Sequence, residues 1–237
     1  MLFFGVSMLL LGYFTRYLPF EVTSIVALLV GSAFVFTSME SYVKARPANL
    51  SIRAPLITLH EMLVRSGLTG KTFYIPGSQG ETVKMLVQKS DSAAPNPTDT
   101  VDPNDVLLIP PGEGIVRVLA EELNGLTDKQ LKYLQEWIPK AVVEGLGLAE
   151  RMKLDVKGDD LKVQIHRPSF QTLCQDPELN RTVCLRFGCP FSSGMAASLA
   201  EGTGRVVEYV GCSHEGKSET STALYRLGQQ IRSLKER

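Results

Sequence analysis

The chain has 237 residues, 25 of them basic and 25 acidic, so its formal net charge is zero. That balance, with no basic stripe interleaved with aromatics, gives nucleic acid no electrostatic footprint and excludes it as an expected partner. No short internal repeat is visible.

Apolar residues concentrate in residues 1–38, where MLFFGVSMLLLGYF and VTSIVALLVGSAFVFTS contain no charge. A spanning helix needs about 20 mainly apolar residues at 1.5 Å rise each. Residues 1–18 reach this length if Arg16 snorkels, and residues 20–39 reach it with Glu21 at the edge. The expectation is a transmembrane helical hairpin over residues 1–42, turning at Pro19, with Tyr13, Tyr17, Phe20 and Tyr42 at the interfaces. A secretory signal would open on basic residues, whereas the first charge here is Arg16. Lys44, Arg46 and Arg53 follow the second stretch, so the positive-inside rule puts the remainder in the cytoplasm. This reads as a two-span plasma-membrane protein with a lipid bilayer as partner. Gly5, Gly12, Gly31 and Ser32 would allow the hairpin to pack closely against another membrane protein. Cytoplasmic cysteines stay reduced, which points away from a disulfide framework.

The expected organisation behind the hairpin is a linker and N-terminal α/β portion, residues 43–138, and a C-terminal α+β portion, residues 139–237. LITLHEMLVRSGL places Leu56, Ile57, Leu59 and Leu63 at helical spacing before Gly67. KTFYIP and TVKMLVQK alternate around GSQGE, a hairpin signal. Residues 90–105 are polar and rich in Pro and Asp, a mobile loop by composition, and VLLIP reads as a third strand. Two amphipathic helices follow, over residues 115–125 and 126–137, the second capped by Thr127 or Asp128.

Pro139 suits the first turn of a helix running to Arg151. In MKLDVKGDDLKVQIHR, apolar Met152, Leu154 and Val156, then Leu161, Val163 and Ile165, alternate on both sides of Gly-Asp-Asp, which predicts a hairpin. A short helix near residues 170–174 precedes TVCLRF, where alternating Val183, Leu185 and Phe187 read as a strand. Gly188-Cys189-Pro190 then opens a helix of small residues ended by Gly202-Thr203-Gly204. Strands over residues 205–211 and in TALYRL precede a charged tail, so the overall expectation is an α+β cytoplasmic domain behind a transmembrane hairpin.

The predicted hairpin, the cysteine-bearing segment entering a small-residue helix, and GRVVEYVGCSHEGKS resemble the vinyl-reductase-type small-molecule-binding domain, a relative of the transport-particle fold. The resemblance rests on spacing and covers the C-terminal portion alone. It implies that Cys184 or Cys189 opens the helix, that Cys212 ends the next strand, and that Gly216 is the turn glycine. The family's third cysteine has no counterpart, since Ser218 and Ser221 stand in that neighbourhood. The implied role is a ligand or metal sensor.

Independently of that resemblance, Cys184, Cys189, Cys212 and His214, with Cys174 in reserve, form a donor set of the kind zinc takes. The last pair is expected to converge only if its strand has ended. The same cysteines also suit plain burial, or a reactive thiol at Cys189, where a helix N-terminus would stabilise the thiolate. Cys-Pro-Phe-Ser resembles the single-thiol glutaredoxin motif, although too little chain follows for that fold. His60 and His166 read as structural. No phosphate loop, dinucleotide fingerprint, nucleophile elbow or zinc-protease motif is present. The expected function is therefore a membrane-tethered cytoplasmic binding or sensor domain for a small ligand or metal. A membrane-associated thiol redox enzyme using Cys189, or a non-catalytic subunit of a membrane assembly, is the alternative.

Overall fold

The computed structural model describes residues 45–77, 81–89, 106–127, 129–215 and 219–230. Seven strands form one sheet: β1 (Thr72–Ile75), β2 (Lys84–Val87), β3 (Val106–Leu108), β4 (Arg151–Lys157), β5 (Asp160–His166), β6 (Arg205–Glu215) and β7 (Thr220–Gln230). Their spatial order is β3-β2-β1-β6-β7-β5-β4, and every neighbouring pair is antiparallel. The fold is α+β.

The helices are α1 (Ala45–Arg65), α2 (Glu113–Glu122), α3 (Leu131–Lys140), α4 (Gln171–Cys174), α5 (Pro177–Arg181), α6 (Val183–Arg186) and α7 (Pro190–Thr203). Alpha-helix α7 lies on the inner face of the sheet against β6, β1 and β7, with α2 and α3 packed on it. Residues 191–200 of this helix are all buried, which its alanines, serines and Gly194 permit without voids. The closest approach is at Gly112, just before α2, where an added Cβ would stand 2.1 Å from both Gly194 N and Pro190 O. Helix α1 is tied to the start of α5 by Arg53, which binds Asp176 at 2.7 Å and also pairs with Glu178.

Several local expectations are met. The β4–β5 hairpin pairs Leu154 with Val163 and Val156 with Leu161, and β1–β2 pairs Tyr74 with Met85. The tip of the β1–β2 loop, residues 78–80, lies outside the described residues, as do the expected mobile loop over 90–105 and the charged tail. Others are corrected. TVCLRF is not a strand, because Val183 to Arg186 makes one helical turn that buries Val183 and Phe187, four apart, and leaves Leu185 exposed. The parallel crossover that a strand there would have allowed is therefore absent. Pro139 sits in the last turn of α3 instead of opening a helix, and Ala141–Gly145 continues it as a π-turn. The N-cap of α3 is Gln130, not Thr127.

The two-span plasma-membrane localisation is corrected as well. Among the described residues no helix is long and apolar enough to cross a membrane. The expected hairpin over residues 1–42 lies outside the described residues.

Candidate functional site

The site is built around one turn of chain. Gly188 adopts φ +83°, a left-handed conformation that lets the chain leave α6 and enter α7 across three residues. Pro190 occupies the first turn of α7, where its missing N–H costs nothing, and Cys189 caps the helix in an extended conformation. The Cys189 carbonyl accepts from Ser193 N at 2.8 Å, so its side chain is fixed at the positive end of a 14-residue helix.

All four cysteines of the chain gather here, unoxidised. Cys174, at the end of α4, and Cys184, on α6, are both buried and interact electrostatically with Cys189. The Cys189 sulfur also lies 3.1 Å from Ser192 Oγ. Cys212, on β6, donates to the Cys184 carbonyl at 3.5 Å. Hydrogen bonds from Cys174 and Cys184 hold the Cys189 thiol well below its ordinary range, overcoming its burial with help from Ser192. The same contacts with Cys189, together with burial, push Cys174 and Cys184 up, so they remain protonated donors.

Three buried tyrosines from adjacent strands anchor this segment to the sheet. Tyr74 donates to the Phe187 carbonyl at 2.5 Å, Tyr209 to Cys184 at 2.6 Å and Tyr225 to Ser192 at 2.9 Å. Burial raises all three phenol pKa values and keeps them neutral donors. The Cys184 and Phe187 carbonyls stand at the C-terminal end of α6, where carbonyls lack an intrahelical partner.

Beneath Cys189 is a hollow of about 20 Å³. Its floor is a row across the sheet in which Cys212 faces Ala223 and Ala223 faces Val163. Ala223 is small, and the missing side-chain volume in the middle of that row leaves the hollow open. Phe170 and Phe191 stack above it with ring centroids 4.7 Å apart. Ser213 is exposed and Cys212 and His214 partly so, which gives the hollow a solvent-facing rim.

The sequence-derived set is thus largely brought together: Cys174, Cys189, Cys212 and His214 line the hollow and Cys184 adjoins it. Cys212 and His214 are both inside β6, so the expectation that their convergence needs a finished strand is corrected. Two apart, they share the inner face. His214 Nδ1 lies 3.0 Å from Ser221 Oγ, while its buried Nε2 has no hydrogen-bond partner among the described residues. Gly216 and Ser218 lie outside the described residues. Among the described residues no group of three or more His, Cys, Asp or Glu side chains is arranged to hold a metal ion. His166 lies away from the hollow, 3.9 Å from Glu150. Sequence reasoning missed the three tyrosines. Period-two alternation marks Tyr209 and Tyr225 as inward-facing, but nothing local names the carbonyls they reach.

No curated protein and no solved structure matches this chain. A family model described as a domain of unknown function (DUF7982) matches residues 25–224, and the chain belongs to that family.

Proposed function

We propose that this chain is a binding or sensor domain for a small ligand, with the thiol-lined hollow beneath Cys189 as its ligand site. The observation that carries this reading is the convergence of Cys174, Cys189, Cys212 and His214 from three separate segments onto one cavity with a solvent-facing rim. An apolar enclosure with a few convergent polar groups is the usual form of a small-molecule site. The resemblance to vinyl-reductase-type binding domains supports the same reading. Zinc as the ligand has less support, given the lack of a three-donor group among the described residues. A thiol-redox role is favoured by one feature, the helix-capping position of Cys189 and its hydrogen-bond donors.

The test is the reaction of the folded, reduced chain with methyl methanethiosulfonate, which transfers only a methylthio group. Cys212 and Cys189 are expected to react ahead of Cys184, and Ala223→Leu, which fills the hollow, should slow Cys189 at least tenfold while the protein still melts cooperatively. Reaction of Cys189 only at the rate of global unfolding would refute a ligand-accessible hollow.

A further inference from the structure

We propose that Cys189 is an oxidation site for small hydroperoxides, hydrogen peroxide above all, and that Cys174 closes a disulfide onto it. This rests on the reading of the hollow as a ligand site and names its ligand class.

Size is the first argument. The hollow measures about 20 Å³, and a single water needs roughly 10–15 Å³ on that measure. It therefore admits molecules little larger than water and excludes bulky organic ligands unless the walls move. Access is the second. The partly exposed Cys212 and His214 and the exposed Ser213 form the rim, while Cys174 and Cys189 lie buried at the inner wall. A small oxidant reaches the buried sulfurs by that route. A protein thiol or other macromolecule does not.

Arrangement is the third. The Cys189 sulfur sits at the N-terminus of α7, beside Ser192 Oγ at 3.1 Å, and the buried Cys174 lines the same hollow. These groups favour the thiolate, the form that attacks peroxide. Cys189 is thus the nucleophile, and a second buried thiol lines the same hollow. Cys174 is that partner in preference to Cys184, because Cys174 lines the same hollow, where an oxygen placed on Cys189 would stand. Cys184 lies outside the lining. Cys174 also ends a four-residue helix, a short element that can shift to bring sulfur onto sulfur.

The chemistry balances. The Cys189 thiolate attacks one peroxide oxygen; the S–O bond forms, the O–O bond breaks, and the departing hydroxide takes the proton of Cys174 to become water. The Cys174 thiolate then attacks the Cys189 sulfur, forming S–S and breaking S–O. The second hydroxide takes up the proton that Cys189 released on ionising. Two thiols lose two electrons in all, and one peroxide becomes two waters.

The experiment treats the freshly reduced full chain with hydrogen peroxide and maps its tryptic peptides by mass spectrometry, since Arg181 and Arg186 put Cys174, Cys184 and Cys189 in separate peptides. The expected result is loss of two thiols and a peptide pair joining Cys174 to Cys189, formed at least tenfold faster in the folded chain than in urea. Cys184→Ser should keep the cross-link, and Cys174→Ser should leave Cys189 as a sulfenic acid, trapped by dimedone added with urea once the peroxide has been removed. tert-Butyl hydroperoxide should act at least tenfold more slowly than hydrogen peroxide. A cross-link to Cys184 or Cys212, equal rates for the two peroxides, or oxidation no faster than in urea would overturn the proposal. If methyl methanethiosulfonate reaches Cys189 yet peroxide yields no cross-link, the peroxide assignment fails and the ligand site stands. If neither reagent reaches it, both fall.

Discussion

Two glycines, two positions apart, should respond in opposite directions to the same methyl group. Gly112 has φ −96°, open to any residue, so an alanine there suffers no backbone strain. Its Cβ, however, would stand 2.1 Å from Gly194 N, 2.1 Å from Pro190 O and 2.5 Å from Gly194 Cα, all backbone atoms of α7. Restoring a carbon contact of roughly 3.5 Å requires the turn and α7 to part by about 1 Å or more. Core overpacking of this kind costs about 1–3 kcal/mol, and the rigid neighbours put Gly112→Ala at the upper end. In a domain of this size that lowers the melting temperature by about 6–12 °C for a loss near 3 kcal/mol. Gly114 lies inside α2, and its added Cβ meets nothing within 4 Å. Gly114→Ala should therefore gain about 0.5 kcal/mol from reduced backbone entropy. Urea titrations of both variants beside the parent chain supply the comparison, with equal m-values as the check that only stability changed. Because Pro190 follows Cys189, Gly112→Ala should also alter methyl methanethiosulfonate labelling of Cys189. A neutral or stabilised Gly112→Ala would mean that the α2–α7 crossing is looser than described and that α7 is not held by it.

Asp176 caps α5 by accepting from Glu178 N at 2.9 Å and Leu179 N at 3.1 Å, so Asp176→Ala should cost about 1 kcal/mol in a urea melt. Burial opposes ionisation of Asp176, yet Arg53 and the two backbone donors outweigh it and hold the carboxyl below its ordinary range. Its contribution is thus complete above the ordinary carboxylate value near pH 4 and disappears as pH falls through the lower folded value; Asp176→Asn should remove that part of the acid-side slope. Glu201 is shifted the other way by burial, so its folded pKa is raised and stability is lost as pH rises through that value. Glu201→Gln should raise the melting temperature at neutral pH and leave it nearly unchanged below the ordinary glutamate range, and an unchanged neutral melt would refute this. In a pH titration, thiolate absorbance should appear at lower pH in the native chain than in the chain unfolded in urea, since Cys174, Cys184 and Ser192 lower the Cys189 pKa, and that low-pH component should be absent in Cys189→Ser. The same titration in the native chain and in Cys189→Ser would refute a lowered Cys189 pKa.

The β4–β5 hairpin was legible because its information is local: alternating apolar residues on both sides of Gly158 and Asp159 pair with one another and with no distant partner needed to set their register. The α7 start was equally legible, since Gly188, Cys189 and Pro190 write a helix entry in three consecutive residues. TVCLRF was not, because so short an apolar run, Val183 to Leu185, fits a strand or a helical turn alike. Its choice was made by Tyr209, whose hydroxyl 25 residues away takes the Cys184 carbonyl, and by Tyr74, 113 residues away, which takes that of Phe187. The sequence by itself determined which residues could do chemistry and where several helices and strands begin, because propensity, capping and periodicity act over a few residues. Only the tertiary structure decided that Cys174 and Cys212 meet Cys189, and that Ala223 leaves a hollow among them. Those meetings depend on which strands become neighbours, and that is set by burial of the whole sheet face under α7, an energy no short stretch of sequence contains.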